Sequence, residues 1–362
     1  MSFYDNNYFP DFKKLHGESR SLELDKIIKE TEEAYGIKLE NPQELEIACV
    51  VKLDRSYPLL MSKEGLLRAE HAISLVKQLD LRAQIGDWVL IRVPKSHDKG
   101  LIEAIVPRVN ELGRWSGGAR GEKQVIAANV GLVLIVVALS KKNLSEASLL
   151  RVMKSLIIAH EAHCDAAILL TKIDRKEHTS DLHDDYLKVQ RALGNKIQII
   201  CTSSLKNQGL DDVRSLLSLY TSAVLLGESG AGKTSLLNAL VKQDIFNTQE
   251  VREKDDHGRH TTVARQMVSI PQSGIIIDAP GLRSISLTYH QQGLQDTFPE
   301  IYSAAKNCKF SDCTHDEEPE CAVKALVHAG ELDELRLKIY QVLETQMIHN
   351  EEKIDHAYKT RW

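Results

Sequence analysis

The sequence contains no hydrophobic run long enough to cross a membrane and no start that resembles an export signal. Its longest apolar run, residues 130–139, falls far short of the roughly 20 residues that a membrane-spanning helix needs. Residues 1–6 have neither the basic start nor the apolar core of a signal peptide. We therefore expect a cytoplasmic protein with no membrane partner.

Basic residues are not in excess either. The formal net charge is -5 and the isoelectric point is about 6.3, so the composition gives no overall sign of nucleic-acid binding. Any contact with RNA must come from local patches of positive charge. The basic residues that could form such patches are Arg82, Arg92, Lys95, Lys99, Arg108, Arg114, Arg120 and Lys123.

Cysteine is scarce, since the chain has 6 cysteines in 362 residues. This number does not suggest the disulfide scaffold of a small secreted protein. Cys49, Cys164 and Cys201 lie singly in apolar stretches and are predicted to be small core residues. The other three cysteines lie close together near the C-terminal end and call for a different explanation.

The chain is too long for one typical hydrophobic core, and the pattern of residue types along it indicates four segments. Residues 1–42 form a polar N-terminal extension with one predicted helix over residues 22–35. Residues 43–112 contain short strands between turns, which indicates a small OB-like β-barrel, although periodicity alone leaves other small β folds open. Residues 113–290 alternate between strands and helices, and residues 291–362 are polar and helical.

Five apolar runs in the third segment are continuous rather than alternating. Strands that are buried on both faces of a parallel sheet have this pattern, and helical patterns lie between the runs. The segment is therefore predicted to be a doubly wound α/β domain. The predicted strands are residues 132–139, 166–170, 197–201, 223–226 and 274–277.

A complete phosphate-binding loop follows the fourth of these strands and precedes a predicted helix. It reads Gly-Glu-Ser-Gly-Ala-Gly-Lys-Thr, in which backbone N–H groups and the helix dipole can surround phosphate oxygens. Lys233 is predicted to reach the β- and γ-phosphates and Thr234 to ligate Mg²⁺. The predicted phosphate-binding residues are Gly227, Glu228, Ser229, Gly230, Ala231, Gly232, Lys233, Thr234 and Ser235.

The residues that could read a guanine base follow the second and third predicted strands. Asp174 can accept hydrogen bonds from both the ring N–H and the exocyclic amine of guanine, a donor pair that adenine lacks. Lys172 is expected to pack its aliphatic stem over the base. Ser203 and Ser204 fit the small-residue loop whose backbone contacts the guanine O6. Thr171 stands where this motif usually has Asn, so we expect a weaker tie between this loop and the phosphate loop.

Two later loops are predicted to bind magnesium and sense the γ-phosphate. Thr262, with Thr261 as the alternative, would complete the Mg²⁺ shell. Asp278 begins a D-x-x-G motif and would hold Mg²⁺ through water, while the N–H of Gly281 contacts the γ-phosphate.

The residue that usually orients the attacking water is missing. Leu282 stands where many GTPases have Gln, and its side chain can neither donate nor accept a hydrogen bond. We therefore expect slow intrinsic hydrolysis that depends on an external partner. His260 is the candidate catalytic residue for positioning water, and a solvated loop imidazole is the equal alternative.

The order of these motifs is reversed relative to an ordinary GTPase, because the base-reading residues precede the phosphate loop. A nucleotide pocket is assembled from loops at the carboxyl ends of parallel strands, so the chain order can change while the pocket survives. The order predicts a circularly permuted GTPase.

The clustered cysteines form the pattern Cys308-x₄-Cys313-x-His315-x₅-Cys321. Three thiolates and one imidazole are a ligand set typical of tetrahedral structural zinc. Because four protein ligands leave no open position, we predict one structural zinc ion, with folding of residues 307–323 dependent on it.

Taken together, these features resemble the RsgA (YjeQ) family of circularly permuted GTPases of small-subunit ribosome biogenesis, over about residues 45–325. Shorter stretches also resemble it, at residues 86–89, 124–129 and 298–301. The resemblance implies Mg²⁺-dependent hydrolysis of GTP to GDP and phosphate, stimulated by the small ribosomal subunit late in its maturation. It also implies that the barrel and the zinc-binding segment contact ribosomal RNA, and we expect a monomer.

Two other functions are compatible with parts of the sequence. A GTP-dependent switch could act on another RNA or on a protein, with hydrolysis incidental. An ATP-using phosphotransferase would fit the phosphate loop alone, and it predicts no role for Asp174.

Overall fold

The structure, a computed structural model, describes residues 8–16, 23–53, 57–94, 99–115, 123–194, 196–243, 265–278, 287 and 289–359. Of the predicted site residues, His260, Thr262 and Gly281 lie outside the described residues, as do Thr261 and Leu282.

Residues 45–105 form a closed five-stranded barrel, as the alternation of apolar side chains predicts. Strand β1 (Leu45–Leu53) pairs antiparallel with both β2 (Leu59–Ser62) and β4 (Trp88–Arg92). Strand β3 (Gly65–His71) pairs antiparallel with β2 and parallel with β5 (Lys99–Ile105), which returns to β4. The resulting order β1-β2-β3-β5-β4 closes the barrel, and helix α3 (Ile73–Lys77) packs against β5.

Six strands form the sheet of the α/β domain, in the order β10-β9-β8-β11-β13-β12. The first five in this order are parallel, as predicted, whereas β12 is antiparallel to β13. The strands are β8 (Leu132–Ala138), β9 (Asp165–Thr171), β10 (Gln198–Cys201), β11 (Ser222–Leu226), β12 (Arg265–Ser269) and β13 (Ile275–Asp278).

Helices cover both faces of this sheet, which explains the continuous apolar runs of its strands. Alternate side chains of β8 face opposite sides, so that Val133 packs in the same core as α4 and α5, and Leu134 in the same core as α6 and α7. The helices are α4 (Glu146–Glu161), α5 (Thr179–Leu193), α6 (Leu210–Leu217) and α7 (Lys233–Val241). The predicted doubly wound architecture is confirmed.

The barrel and the α/β domain are joined through strand β12. Its residues Arg265 and Gln266 pair antiparallel with Leu53 and Lys52 of β1, so the two domains share one continuous sheet. A separate hairpin of β6 (Glu111–Trp115) and β7 (Lys123–Ala128) lies between them in the chain. The sequence boundary between these domains, placed at residue 112, falls within β6 and remains a prediction.

Three of the basic residues proposed as RNA contacts lie in ion pairs within the protein. Arg108 is the most buried of the three and contacts a fully buried carboxylate at the junction of the two domains. Its role is therefore structural. The pairs are Arg92–Glu103 at 3.1 Å, Lys99–Glu70 at 2.9 Å and Arg108–Asp87 at 2.8 Å.

The N-terminal extension packs along the junction of the barrel and the α/β domain. Helix α1 (Phe12–His16) places the ring of Phe12 edge-on to Trp88 of the barrel, with 5.6 Å between ring centroids. The Lys14 ammonium donates to the Ser269 hydroxyl at 2.7 Å, and the Ser269 N–H donates to the Tyr8 carbonyl at 2.9 Å. Helix α2 (Leu24–Tyr35) corresponds to the predicted helix.

A C-terminal helical module docks on the face of the sheet that α4 and α5 cover. It consists of α8 (Gln291–Thr297), α9 (Pro299–Ala305), α10 (Ala322–His328) and α11 (Glu334–Lys359). The buried guanidinium of Arg336 donates to the carbonyls of Ala192 in α5, at 2.8 Å, and of Thr297 in α8, at 2.6 Å. No helix in the described part of the chain is both long and apolar enough to span a membrane.

Gly293 allows α8 to approach α4 closely, which leads to a test of this docking. A Cβ atom at position 293 would lie 2.3 Å from the Ile157 carbonyl oxygen. Gly293→Ala should therefore destabilise the protein by about 1–3 kcal/mol, the usual cost of overpacking. In an unobstructed helix the same change would stabilise by up to about 1 kcal/mol. Chemical denaturation shows whether the free energy of unfolding falls or rises. Gln291→Ala, at an exposed position of the same helix, is the control.

Candidate functional site

The base-reading loops, the phosphate loop and Asp278 lie at the ends of strands that finish at the same edge of the sheet. Strands β8, β9, β10, β11 and β13 are parallel, so their carboxyl ends lie side by side. Crevices at the carboxyl ends of strands bind ligands in folds of this type. Hydrogen bonds from Thr171 and Lys172 to the phosphate loop bring the predicted base-binding and phosphate-binding residues together.

The phosphate loop lies between β11 and α7, and two of its glycines are required by its conformation. At Gly227 a Cβ atom would lie 2.4 Å from the Val136 carbonyl oxygen, and Gly232, with φ at 92°, caps the start of α7. The Lys233 ammonium donates to the carbonyls of Gly227, at 2.7 Å, and Glu228, at 2.8 Å. The lysine thus lies across the loop in the position from which it can reach phosphate oxygens.

Thr171 and Lys172 connect the base-reading loop to the phosphate loop. The Thr171 hydroxyl donates to the Ala231 carbonyl at 2.6 Å, and the Lys172 ammonium donates to the Gly230 carbonyl. Burial lowers the pKa of Lys172, and the neighbouring Arg175 lowers it further. The Thr171 side chain therefore joins the two loops by one short hydrogen bond, whereas an Asn amide offers both a donor and an acceptor.

A buried hydroxyl next to Thr171 has no hydrogen-bond partner among the described residues. It belongs to Thr202, which is fully buried. The register of β9 and β10 ends at Leu170 opposite Cys201, so Thr202 lies beside Thr171. An amide side chain at position 171 could bond both the Ala231 carbonyl and this hydroxyl.

We expect Thr171→Asn to tighten GDP binding by about fivefold, because it adds one hydrogen bond of about 1 kcal/mol to the base-reading loop. Thr171→Val, which removes the hydroxyl at constant shape, should weaken binding. Isothermal calorimetry with GDP measures both variants. Equal or weaker binding by the Asn variant would contradict this explanation.

Asp174 is held in place by the serine of the third loop. The Ser203 hydroxyl donates to Asp174 Oδ1, and Ser203 itself is fully buried. The Ile173 N–H donates to the Thr202 carbonyl at 3.3 Å, which joins the two base-reading loops. The carboxylate is therefore oriented before any nucleotide binds, and its second oxygen is free of this bond.

Ser204 and Ser235 line one open cleft between the third loop and α7. The cleft has a volume of about 740 Å³, within the range of roughly 300–1,000 Å³ that small-molecule sites occupy. Its walls are polar and include Asn207, Asp211 and Arg214. The lining continues along α6 and α7 to Lys242 and Gln243, at the end of α7 opposite the phosphate loop, and it does not include Asp174. The cleft therefore borders Ser204 and Ser235 without enclosing the predicted base-reading residues.

Asp278 ends strand β13 beside the phosphate loop. Burial raises the pKa of this carboxyl, and the nearby Lys233 ammonium opposes the shift. A divalent cation at this position would favour the ionised carboxylate. Thr234, the second residue of α7, and Asp278 are the described members of the predicted magnesium site.

The structure also places a charged pair at the phosphate loop that the sequence motifs do not mark. Arg151 Nε of α4 lies 3.0 Å from Glu228 Oε1. Both side chains are about half exposed. No local pattern identifies this contact, because it depends on how α4 packs beside the loop.

The three cysteines and the histidine of the C-terminal segment converge on one point. The four ligand atoms of Cys308, Cys313, His315 and Cys321 lie within 4.8 Å of one another. Cys308 Sγ is 3.9 Å from Cys321 Sγ and 3.7 Å from His315 Nδ1. Two sulfur ligands at about 2.3 Å from a tetrahedral zinc ion would be about 3.8 Å apart. The arrangement therefore fits a metal ion.

The surroundings of the cluster hold Cys321 in place and favour the form of His315 that binds metals. Cys321 caps the start of α10, where the Lys324 N–H donates to its sulfur at 3.5 Å. Burial lowers the pKa of His315, which favours the neutral imidazole. The Gln341 amide of α11 donates to the His315 carbonyl at 2.9 Å, so the longest helix supports the cluster.

Comparison with known proteins gives consistent matches. A family model described as RsgA GTPase matches residues 105–288. The small ribosomal subunit biogenesis GTPase RsgA of Streptomyces avermitilis is 35% identical over 294 residues, which are 81% of this chain and 77% of that protein. The protein of the same name from Methanosarcina acetivorans is 34% identical over 275 residues, 76% of this chain and 72% of its own length.

Two solved structures have the same fold. YjeQ from Thermotoga maritima aligns with a TM-score of 0.62 at 23% identity, over 84% of this chain and 99% of that one. YloQ, described as a circularly permuted GTPase, aligns with a TM-score of 0.61 at 19% identity, over 87% of this chain and 99% of that one.

Proposed function

The chain belongs to the RsgA GTPase family, and on this basis we propose that it binds the small ribosomal subunit and assists its late maturation. It hydrolyses GTP to GDP and phosphate, the subunit stimulates this hydrolysis, and hydrolysis triggers release. The observation that carries the proposal is the contact of Thr171 and Lys172 with the phosphate loop, which joins guanine selection to phosphate binding in one site.

The proposed roles of the site residues follow from their chemistry. Asp174 reads guanine, Lys233 binds the β- and γ-phosphates, and Thr234 and Asp278 hold Mg²⁺, which neutralises charge on the phosphates. Thr262 and Gly281 would contribute the remaining magnesium and γ-phosphate contacts. His260 would position the water that Leu282 cannot when the ribosomal subunit is bound.

The metal of the Cys308, Cys313, His315 and Cys321 cluster is proposed to be zinc with a structural role. All four positions of a tetrahedral site come from the protein, so water or substrate has no place on the ion. The ion would cross-link residues 308–321 and support the surface that the C-terminal module offers to ribosomal RNA.

The arrangement of the domains suggests how nucleotide state could control ribosome binding. Strand β12 pairs with the barrel, and the chain enters it directly from the loop that contains Thr262. The C-terminal module docks on α4, which also contacts the phosphate loop through Arg151. With GTP bound, both RNA-facing modules would be held in the arrangement that binds the subunit, and hydrolysis would release them.

We further propose that the protein acts as a monomer in the cytoplasm. The alternative function is a GTP-dependent switch that acts on another RNA or on a protein. Its support is the net charge of -5, together with the internal pairing of Arg92, Lys99 and Arg108.

Cosedimentation with purified small ribosomal subunits tests the proposal. The protein should pellet with small subunits in the presence of a non-hydrolysable GTP analogue and remain in solution with GDP. Large subunits serve as the control and should not retain it. Absence of binding to small subunits in both nucleotide states would overturn the proposal and favour the switch acting on a different partner.

A further inference from the structure

A buried ion pair lies just beyond Asp174 and has no part in the sequence motifs. The ammonium of Lys176 is 2.7 Å from Asp185 Oδ2 in helix α5, and the two side chains are 2% and 1% exposed. Taking two charges out of water is costly unless further polar contacts compensate them. The contacts around this pair show what it joins.

Three segments meet at the pair. In addition to its ion pair with Asp185, the Lys176 ammonium donates hydrogen bonds to the Lys142 carbonyl at 3.1 Å and to Asn143 Oδ1 at 3.3 Å. The other carboxylate oxygen of Asp185 accepts the Leu144 N–H at 2.7 Å. The loop after β9, the loop after β8 and helix α5 are thus fixed to one another by two side chains.

The pair fixes one end of the turn that carries Asp174. At the other end, the Ile173 N–H is bonded to the Thr202 carbonyl, and the turn is closed by a bond from the Lys176 N–H to the Ile173 carbonyl at 3.1 Å. The Asp174 carboxylate lies between these two fixed points. A shift of Lys176 would therefore move the carboxylate relative to the base.

Stability alone gives a poor explanation for charges at these positions. Well-packed apolar residues of similar volume are often as stable as a buried ion pair, or more so. A hydrogen-bonded ammonium, by contrast, sets the direction and distance of the loops that it bonds. Site residues need such support when their geometry must be accurate to a fraction of an ångström.

We propose that Lys176 and Asp185 are positioning residues for guanine recognition. They hold the turn so that Asp174 can accept from both the ring N–H and the 2-amine, and they do not touch the nucleotide themselves. This inference rests on the proposed role of Asp174 in the GTP site.

The test compares GDP with IDP, which lacks the 2-amine, by isothermal calorimetry on the full-length protein. In Lys176→Met the Kd for GDP should rise about tenfold, equivalent to the loss of one hydrogen bond to a charged group. The Kd for IDP should rise less, so the preference for GDP over IDP falls. A merely structural role would lower the fraction of binding-competent protein and leave this preference unchanged.

Two further variants separate positioning from stability. Lys176→Met with Asp185→Asn removes both charges, and the Asn oxygen can still accept the Leu144 N–H. With folding checked by thermal denaturation, this double variant should show the same loss of GDP preference. Lys141→Met removes an exposed lysine of the neighbouring loop, paired with Glu177 at 2.7 Å, and should change nothing.

The outcomes are distinct. An unchanged GDP-to-IDP preference in the folded double variant would overturn the positioning role while leaving the proposed function intact. A wild-type protein that binds IDP as tightly as GDP would overturn the role of Asp174, and this inference with it.

Discussion

Replacing Cys321 with Ser is expected to unfold the metal-binding segment. Cys321 is buried, its sulfur lies 3.4 Å from His315 Nδ1, and it also caps α10. Structural zinc contributes about 10–16 kcal/mol in apparent binding free energy, which is comparable to the total stability of a domain at about 5–15 kcal/mol. Losing one of the four ligands should therefore remove both the metal and the local fold.

Metal analysis and amide hydrogen exchange measure this result. The variant should contain no zinc, and amides between residues 308 and 328 should exchange far faster than in the wild type. Cys164→Ser is the matched control, because Cys164 is also buried but bonds only backbone carbonyls. A metal-free Cys321→Ser protein with unchanged protection would show that the segment folds without its ion.

Asp174→Asn is expected to change the preference of the site from guanine to xanthine. The carboxylate accepts two hydrogen bonds from guanine, and each bond to a charged group contributes about 1.5–3 kcal/mol. The amide oxygen of Asn can still accept from the ring N–H, but its NH₂ group cannot accept from the exocyclic amine. Losing that one bond corresponds to a loss of about 10–10²-fold in GDP affinity. The amide of Asn can donate to the C2 carbonyl of xanthine, so XDP should bind better to this variant than GDP does.

Competition binding with GDP, XDP and ADP measures this change in nucleotide preference. Asp212→Asn, at an exposed position of α6, makes the same chemical change away from the loops and should have no effect. A variant that keeps the preference for GDP would show that another residue reads the base. The ATP-using alternative would gain support if ADP bound as tightly as GDP to the wild type.

Local patterns were sufficient to predict the strands and loops on which the nucleotide site is proposed. The parallel strands are continuous apolar runs, and the phosphate loop and base-reading motifs follow them directly, so each could be placed from its neighbours in the chain. The cysteine cluster was predictable for the same reason, since all of its ligands lie close together in sequence. The family resemblance supplied the expected partner.

The contacts between domains could not be predicted from the sequence. Strand β12 reads Arg-Gln-Met-Val-Ser, without an apolar run, because only Met267 and Val268 of its side chains are buried. Contacts between distant segments also determine how the N-terminal extension packs. The same is true of the hydrogen bonds that Arg336 donates to α5 and α8, and of the Lys176–Asp185 pair. Such contacts leave no periodicity in the sequence, so polar residues there resemble ordinary surface residues.

The most direct test of the account is the rate of GTP and ATP hydrolysis, measured with and without purified small ribosomal subunits. We predict weak GTP turnover that rises strongly with small subunits, no response to large subunits and no turnover of ATP. GTP turnover that is indifferent to small subunits would contradict it, and would leave a GTPase whose partner lies elsewhere.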